Sequence, residues 1–97
     1  RHVVMWKLAT SDAAERSAQA SEIARRLNAL QGVVPQIIAI DARANTLFPD
    51  ANWDATLAVD FASTDDLAAY QVHPAHEEVV AFMRPLVGSR AAVDFEV

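Results

Sequence analysis

The first apolar segment, His2-Val3-Val4-Met5-Trp6-Lys7-Leu8, is short, β-branched and aromatic, with apolar residues at both odd and even positions. That pattern predicts a central strand covered on both faces. The period then changes: Ala20, Ile23, Ala24, Leu27 and Leu30 recur at helical spacing, and Asp12 followed by Glu15 has the spacing of a capping box. One long amphipathic helix is predicted over about Asp12 to Gln31, ended by Gly32 in the left-handed C′ position, with Pro35 preventing its resumption. A second strand is predicted over Ile37 to Ile40, followed by a loop rich in turn formers from Arg43 to Asn52. From Trp53 to Phe61 the chain alternates, with Ala55, Leu57, Val59 and Phe61 on the more apolar side, which predicts a third strand.

Ser63 is placed to cap a short helix that opens with Asp65 and Asp66, carboxylates that suit its N-terminal end, and runs to about Tyr70. His73-Pro74 breaks it. The residue before a proline is pushed out of the helical region while proline fits the first helical position, so a new helix is expected from Pro74 to about Arg84. Its inner stripe is His76, Val79, Val80 and Met83. After Gly88 the tail alternates through Ala91, Val93, Phe95 and Val97, a fourth strand. The order β-α-β-β-α-α-β, with right-handed crossovers, folds as an α+β domain: a four-stranded antiparallel sheet with its helices on one face. The other face is left bare, with Val3, Met5, Ala58 and Ala92 expected there among Lys7, Asp60 and Asp94. Such a surface is too apolar to leave wet and too polar for a sealed core, and a second copy of the chain is the economical cover.

Composition narrows the function. A chain of 97 residues makes a single domain, residues 1–97, and its 53% hydrophobic and 22% charged content suits a folded one. Thirteen acidic against eight basic residues give a formal charge of −5, the wrong field for nucleic acid or anionic lipid. The absence of cysteine removes disulfides, thiolate metal sites and cysteine nucleophiles, and two glycines, Gly32 and Gly88, cannot build a phosphate or dinucleotide loop. No apolar run approaches the ~20 residues of a membrane span, and strand-like residues begin at His2, so a soluble, cytoplasmic protein is expected.

The unusual residues concentrate in Tyr70-Gln71-Val72-His73-Pro74-Ala75-His76, which holds the only tyrosine and two of three histidines. With Pro74 first in its helix, His76 lies in the first turn, where free amides and the positive dipole end disfavour imidazolium. It is expected to rest neutral, able to accept a proton, with Tyr70 a hydrogen-bond donor nearby. The plainer alternative is that both side chains only satisfy backbone groups at the helix junction. His73 reads as a capping or solvent residue, and His2, on a strand face with Val4, Trp6 and Leu8, as a packed side chain. His73 and His76 straddle the helix start rather than stacking one turn apart, so no metal site is expected. Asp54 and Asp60 read as solvated or interfacial, and Trp6, Trp53 and Phe82 as core.

The opening Arg1-His2-Val3-Val4-Met5-Trp6-Lys7-Leu8, Trp53-Asp54, Phe61-Ala62-Ser63, the Tyr70 to His76 run and Val93-Asp94-Phe95 together resemble the dimeric α+β barrel (Dabb), or stress-responsive A/B barrel, family over essentially the whole chain. The resemblance implies a ferredoxin-like fold and a homodimer packed sheet against sheet. It also implies a pocket between sheet and helices, expected to be lined by His2, Val4, Leu57, Tyr70 and His76. The family includes plant stress-induced proteins and a plant cyclase that closes a linear tetraketide by aldol condensation. The cyclase's acid-base tyrosine and histidine fall on Tyr70 and His76, and a further pocket histidine on His2. The chain departs from it at Ala55, in place of a histidine, and at Leu27, in place of a tyrosine. The implied function is binding of a small carbonyl-bearing or aromatic molecule, with cofactor-independent acid-base chemistry at Tyr70 and His76. A non-catalytic structural or stress-protective homodimer is the alternative.

Overall fold

A computed structural model describes all 97 residues. Strand β1 (His2–Leu8) leads into helix α1 (Ala13–Asn28), then strands β2 (Ala39–Ala44) and β3 (Ala55–Asp60), helices α2 (Thr64–Val72) and α3 (Pro74–Met83), and strand β4 (Val87–Asp94). The sheet order is β2-β3-β1-β4 and every neighbouring pair is antiparallel. This is the expected ferredoxin-like α+β architecture, with β1 and β3 central because each βαβ unit leaves a gap that the other unit fills.

Local chemistry explains the boundaries. Asp12 caps α1 by accepting from the Glu15 amide at 2.8 Å, and Ser63 caps α2 from the Asp66 amide at 3.1 Å. Helix α1 ends at Asn28, earlier than the apolar period suggests. The Asn28 amide turns back onto the edge strand, donating to the Ala42 carbonyl at 2.9 Å and accepting from the Ala42 amide at 2.8 Å. That pairing covers part of an exposed sheet edge. Gly32 does take a positive φ of 84°, but in the turn beyond the helix rather than at its C′ position. Strand β2 is also displaced from the expected Ile37 to Ile40. Ile37 is buried in the hydrophobic core and Ile38 stays exposed, while the alternating Ala39-Ile40-Asp41-Ala42-Arg43-Ala44 pairs with β3 and shortens the loop.

The core lies between the sheet and the helices. Val4, Trp6, Leu57 and Val59 from the central strands meet Ile23 and Leu27 of α1, Tyr70 of α2, and Val79 and Met83 of α3. Asp54, read from the sequence as solvated or interfacial, is buried: it accepts from the Leu8 amide at 2.8 Å and lies 3.5 Å from Arg16. Asp60 does lie on the open face, paired with Arg1 at 2.8 Å. Phe82 is half-buried beneath the Arg26 guanidinium, 3.7 Å above its ring.

The strand register corrects the expected composition of the bare face. His2 pairs with Asp94, Val4 with Ala92 and Trp6 with Arg90, so Ala92 and Asp94 belong to the helix side. Their places on the open side are taken by Ala91 and Val93, beside Val3, Met5 and Ala58. A bulge accompanies this register: Lys7 pairs with Ser89 and Leu8 with Val87, leaving Gly88 unpaired. A Cβ on Gly88 would stand 3.4 Å from the Ala9 Cα and from the Lys7 carbonyl oxygen, ordinary van der Waals contact. Because of the bulge, Val87 and Arg90, an odd number of residues apart, both face the helices.

Candidate functional site

The α2–α3 junction is built by one residue. His73 ends α2 and starts α3; its backbone is extended, and its Nδ1 accepts from the Ala75 amide at 3.1 Å. The capping role expected of His73 is therefore observed. Its consequence is positional: Tyr70 in the last turn of α2 and His76 in the first turn of α3 are brought together, with ring centroids 4.2 Å apart at 44°. Phe61 packs on the Tyr70 ring at 5.0 Å.

Between sheet and helices lies a cavity of about 340 Å³ whose wall includes His2, Val4, Leu57, Tyr70 and His76, the five residues expected there. Trp6, Leu27, Val80, Met83 and Val87 add apolar wall, and Gln71, Arg84 and Arg90 add polar rim. Leu27 thus does line the cavity, whereas Ala55 is buried in the same sheet face outside its wall.

His76 Nδ1 lies 3.2 Å from the Gln71 carbonyl oxygen. A carbonyl only accepts, so Nδ1 carries the proton, and in the neutral ring Nε2 holds the free lone pair. Burial pushes the His76 pKa below its ordinary value, and the His2 and Arg90 charges act in the same direction against the Gln71 bond and Glu77, which raise it. The shift runs in the direction expected from the helix start, but its largest cause is desolvation.

Tyr70 is fully buried and its hydroxyl has no hydrogen-bond partner in the protein. It packs against His76 without bonding to it, so His76 is oriented by the Gln71 carbonyl and ring contact rather than by Tyr70. Desolvation drives the Tyr70 pKa up to about 12, with Arg90 opposing it, so the phenol stays protonated and able to donate. An unpartnered buried hydroxyl is destabilising by about 1–3 kcal/mol. His2, 4% exposed, is held through Nδ1 by the Asp94 carboxylate at 2.5 Å, which leaves Nε2 as the ring atom available to a ligand.

Sequence reasoning missed Asp94, Gln71 and the two arginines. Asp94 and Arg90 were hidden by the Gly88 bulge and the phase it sets; Gln71 acts through its backbone, which a side-chain pattern cannot signal. No group of three or more histidine or acidic side chains is arranged to hold a metal ion, and no helix is long and apolar enough to cross a membrane.

Solved structures with this fold include a dimeric protein of unknown function from Bacteroides fragilis, 27% identical, with TM-score 0.87, covering 99% of this chain and 93% of that one. A dimeric ferredoxin-like protein of unknown function from Thermobifida fusca is 23% identical, with TM-score 0.81 and coverage of 99% and 88%. A third, from Jannaschia sp., also dimeric and of unknown function, is 24% identical, with TM-score 0.72 and coverage of 99% and 96%. No curated protein matches the chain. The Stress Responsive A/B Barrel Domain matches it over residues 1–97, and the chain belongs to that family, Dabb.

Proposed function

We propose that this Dabb protein is a homodimer that binds a small carbonyl-bearing or aromatic molecule between its sheet and helices and acts on it by cofactor-independent acid-base chemistry. The observation that carries this reading is the pairing of a buried, unpartnered Tyr70 hydroxyl with a His76 ring whose Nδ1 is committed to a carbonyl, both on the wall of one cavity. The Nε2 lone pair of His76 takes a proton from the carbon next to a carbonyl. The electrons of that C–H bond move onto the carbonyl oxygen, and Tyr70 donates to the developing oxyanion. His2, steadied by Asp94, anchors a second polar group of the ligand. Trp6 lines the cavity rather than filling it, which favours ligand binding over a purely structural dimer.

A thermal-shift screen of aromatic and 1,3-dicarbonyl compounds against the intact protein tests the reading. A true ligand raises the melting temperature by mass action, and Tyr70→Phe and His76→Ala should each diminish that rise while the free proteins stay folded. Ligands that stabilise all three proteins equally would overturn it.

A further inference from the structure

Five of the eight strong bases in this chain are in ion pairs: Arg1 with Asp60, Arg16 with Asp54, Arg25 and Arg26 with Glu22, and Arg43 with Asp41. The three left over are Lys7, Arg84 and Arg90, and two of these line the cavity. The chain has thirteen carboxylates, more than enough to neutralise every base, yet none is on the cavity wall. Arg90 faces the helices from β4 opposite Trp6, and Arg84 caps the end of α3; both are exposed, so they stand at the rim. Arg90 lines the same cavity as Tyr70, His76 and His2, the polar groups of the site. The opposite side is apolar, with Val4, Leu57, Val80 and Met83 on the wall.

We infer that the ligand is an organic acid, its apolar body against Val4, Leu57, Val80 and Met83 and its carboxylate held by Arg90, with Arg84 adding positive charge at the rim. The inference rests on the small-molecule reading above and adds the charge class of the ligand. Guanidinium suits the task because its fork of N–H donors matches the two oxygens of a carboxylate and stays charged at any working pH. It also explains how a protein of net charge −5 admits an anion: Arg84 and Arg90 stand on the cavity wall, and the Asp94 carboxylate on the same sheet face is taken up by His2.

The test compares octanoate with its neutral isostere octanamide, using the intact chain at about pH 8, where His76 is neutral. Calorimetry gives the affinities, and tryptophan fluorescence reports occupancy because Trp6 lines the cavity. Octanoate should bind about tenfold tighter than octanamide, the scale of a hydrogen-bonded charge pair. Arg90→Gln should bring the two affinities together by weakening octanoate alone, and Lys7→Gln, which removes an unpaired base on the other sheet face, should leave their ratio unchanged. Equal binding of acid and amide to the unaltered protein, or a ratio that survives Arg90→Gln, would overturn the charge assignment and leave the pocket standing. Binding of neither compound would count against both.

Discussion

In the proposed reaction a His76 that is already protonated has nothing to offer, and the same protonation bears on the stability of the fold. Unfolded, its imidazole titrates near about 6.5; folded, burial holds it lower. As pH falls past the unfolded value, the unfolded chain takes up a proton that the folded chain does not, so stability drops until the folded ring protonates as well. Denaturant melts across that window should show stability rising with pH, with a slope reduced in His76→Gln. Tyr70 makes the opposite kind of test. Its hydroxyl has no partner to lose, so Tyr70→Phe should leave stability unchanged or raise it by up to about 1 kcal/mol in chemical denaturation. A large destabilisation would mean that the hydroxyl is satisfied in solution and has a structural role.

At the level of elements, the site depends on a proline-led helix start that the sequence displays openly. His73-Pro74 fixes where α2 stops and α3 begins, and the caps at Asp12 and Ser63 were equally plain because capping is a local interaction. His73→Ala should cost about 1 kcal/mol of stability by denaturant titration, and His73→Asn, which keeps an acceptor beside the Ala75 amide, should restore most of it. What was not legible depends on distant partners. The end of α1 follows from Asn28 reaching Ala42, and the position of β2 from pairing of a weakly β-forming alanine run with β3. The burial of Asp54 follows from the Leu8 amide, 46 residues away in the chain. The three histidines and Tyr70 stood out by their rarity, whereas arginines are common surface residues, and Arg90 gained its meaning only from its strand register.

On the scale of the whole molecule, the helix-free side of the sheet is the feature that one chain leaves unfinished. Met5, Val93 and Phe95 are 46%, 64% and 46% exposed there or beside it, a share of apolar surface that a second sheet would cover. If assembly supplies that cover, folding and association are one process, and the melting temperature should climb with protein concentration. Met5→Lys should shift sedimentation from dimer to monomer and lower that temperature. A folded monomer at micromolar concentration in the unaltered protein would rule the assembly out.

Strand β1 carries both of these surfaces at once. His2, Val4 and Trp6 face the cavity, and Val3, Met5 and Lys7 between them face the open side. The two are therefore separable by substitution and inseparable by length. A point change at one position can alter the cavity or the open face alone, but a single-residue insertion or deletion within the strand would turn every side chain over. It would put Met5 and Lys7 in the cavity and a histidine and a tryptophan on the open face. Relatives that vary in chemistry or in assembly are thus expected to differ along β1 by exchange of residues, while changes in chain length collect elsewhere, in loops such as that between β2 and β3.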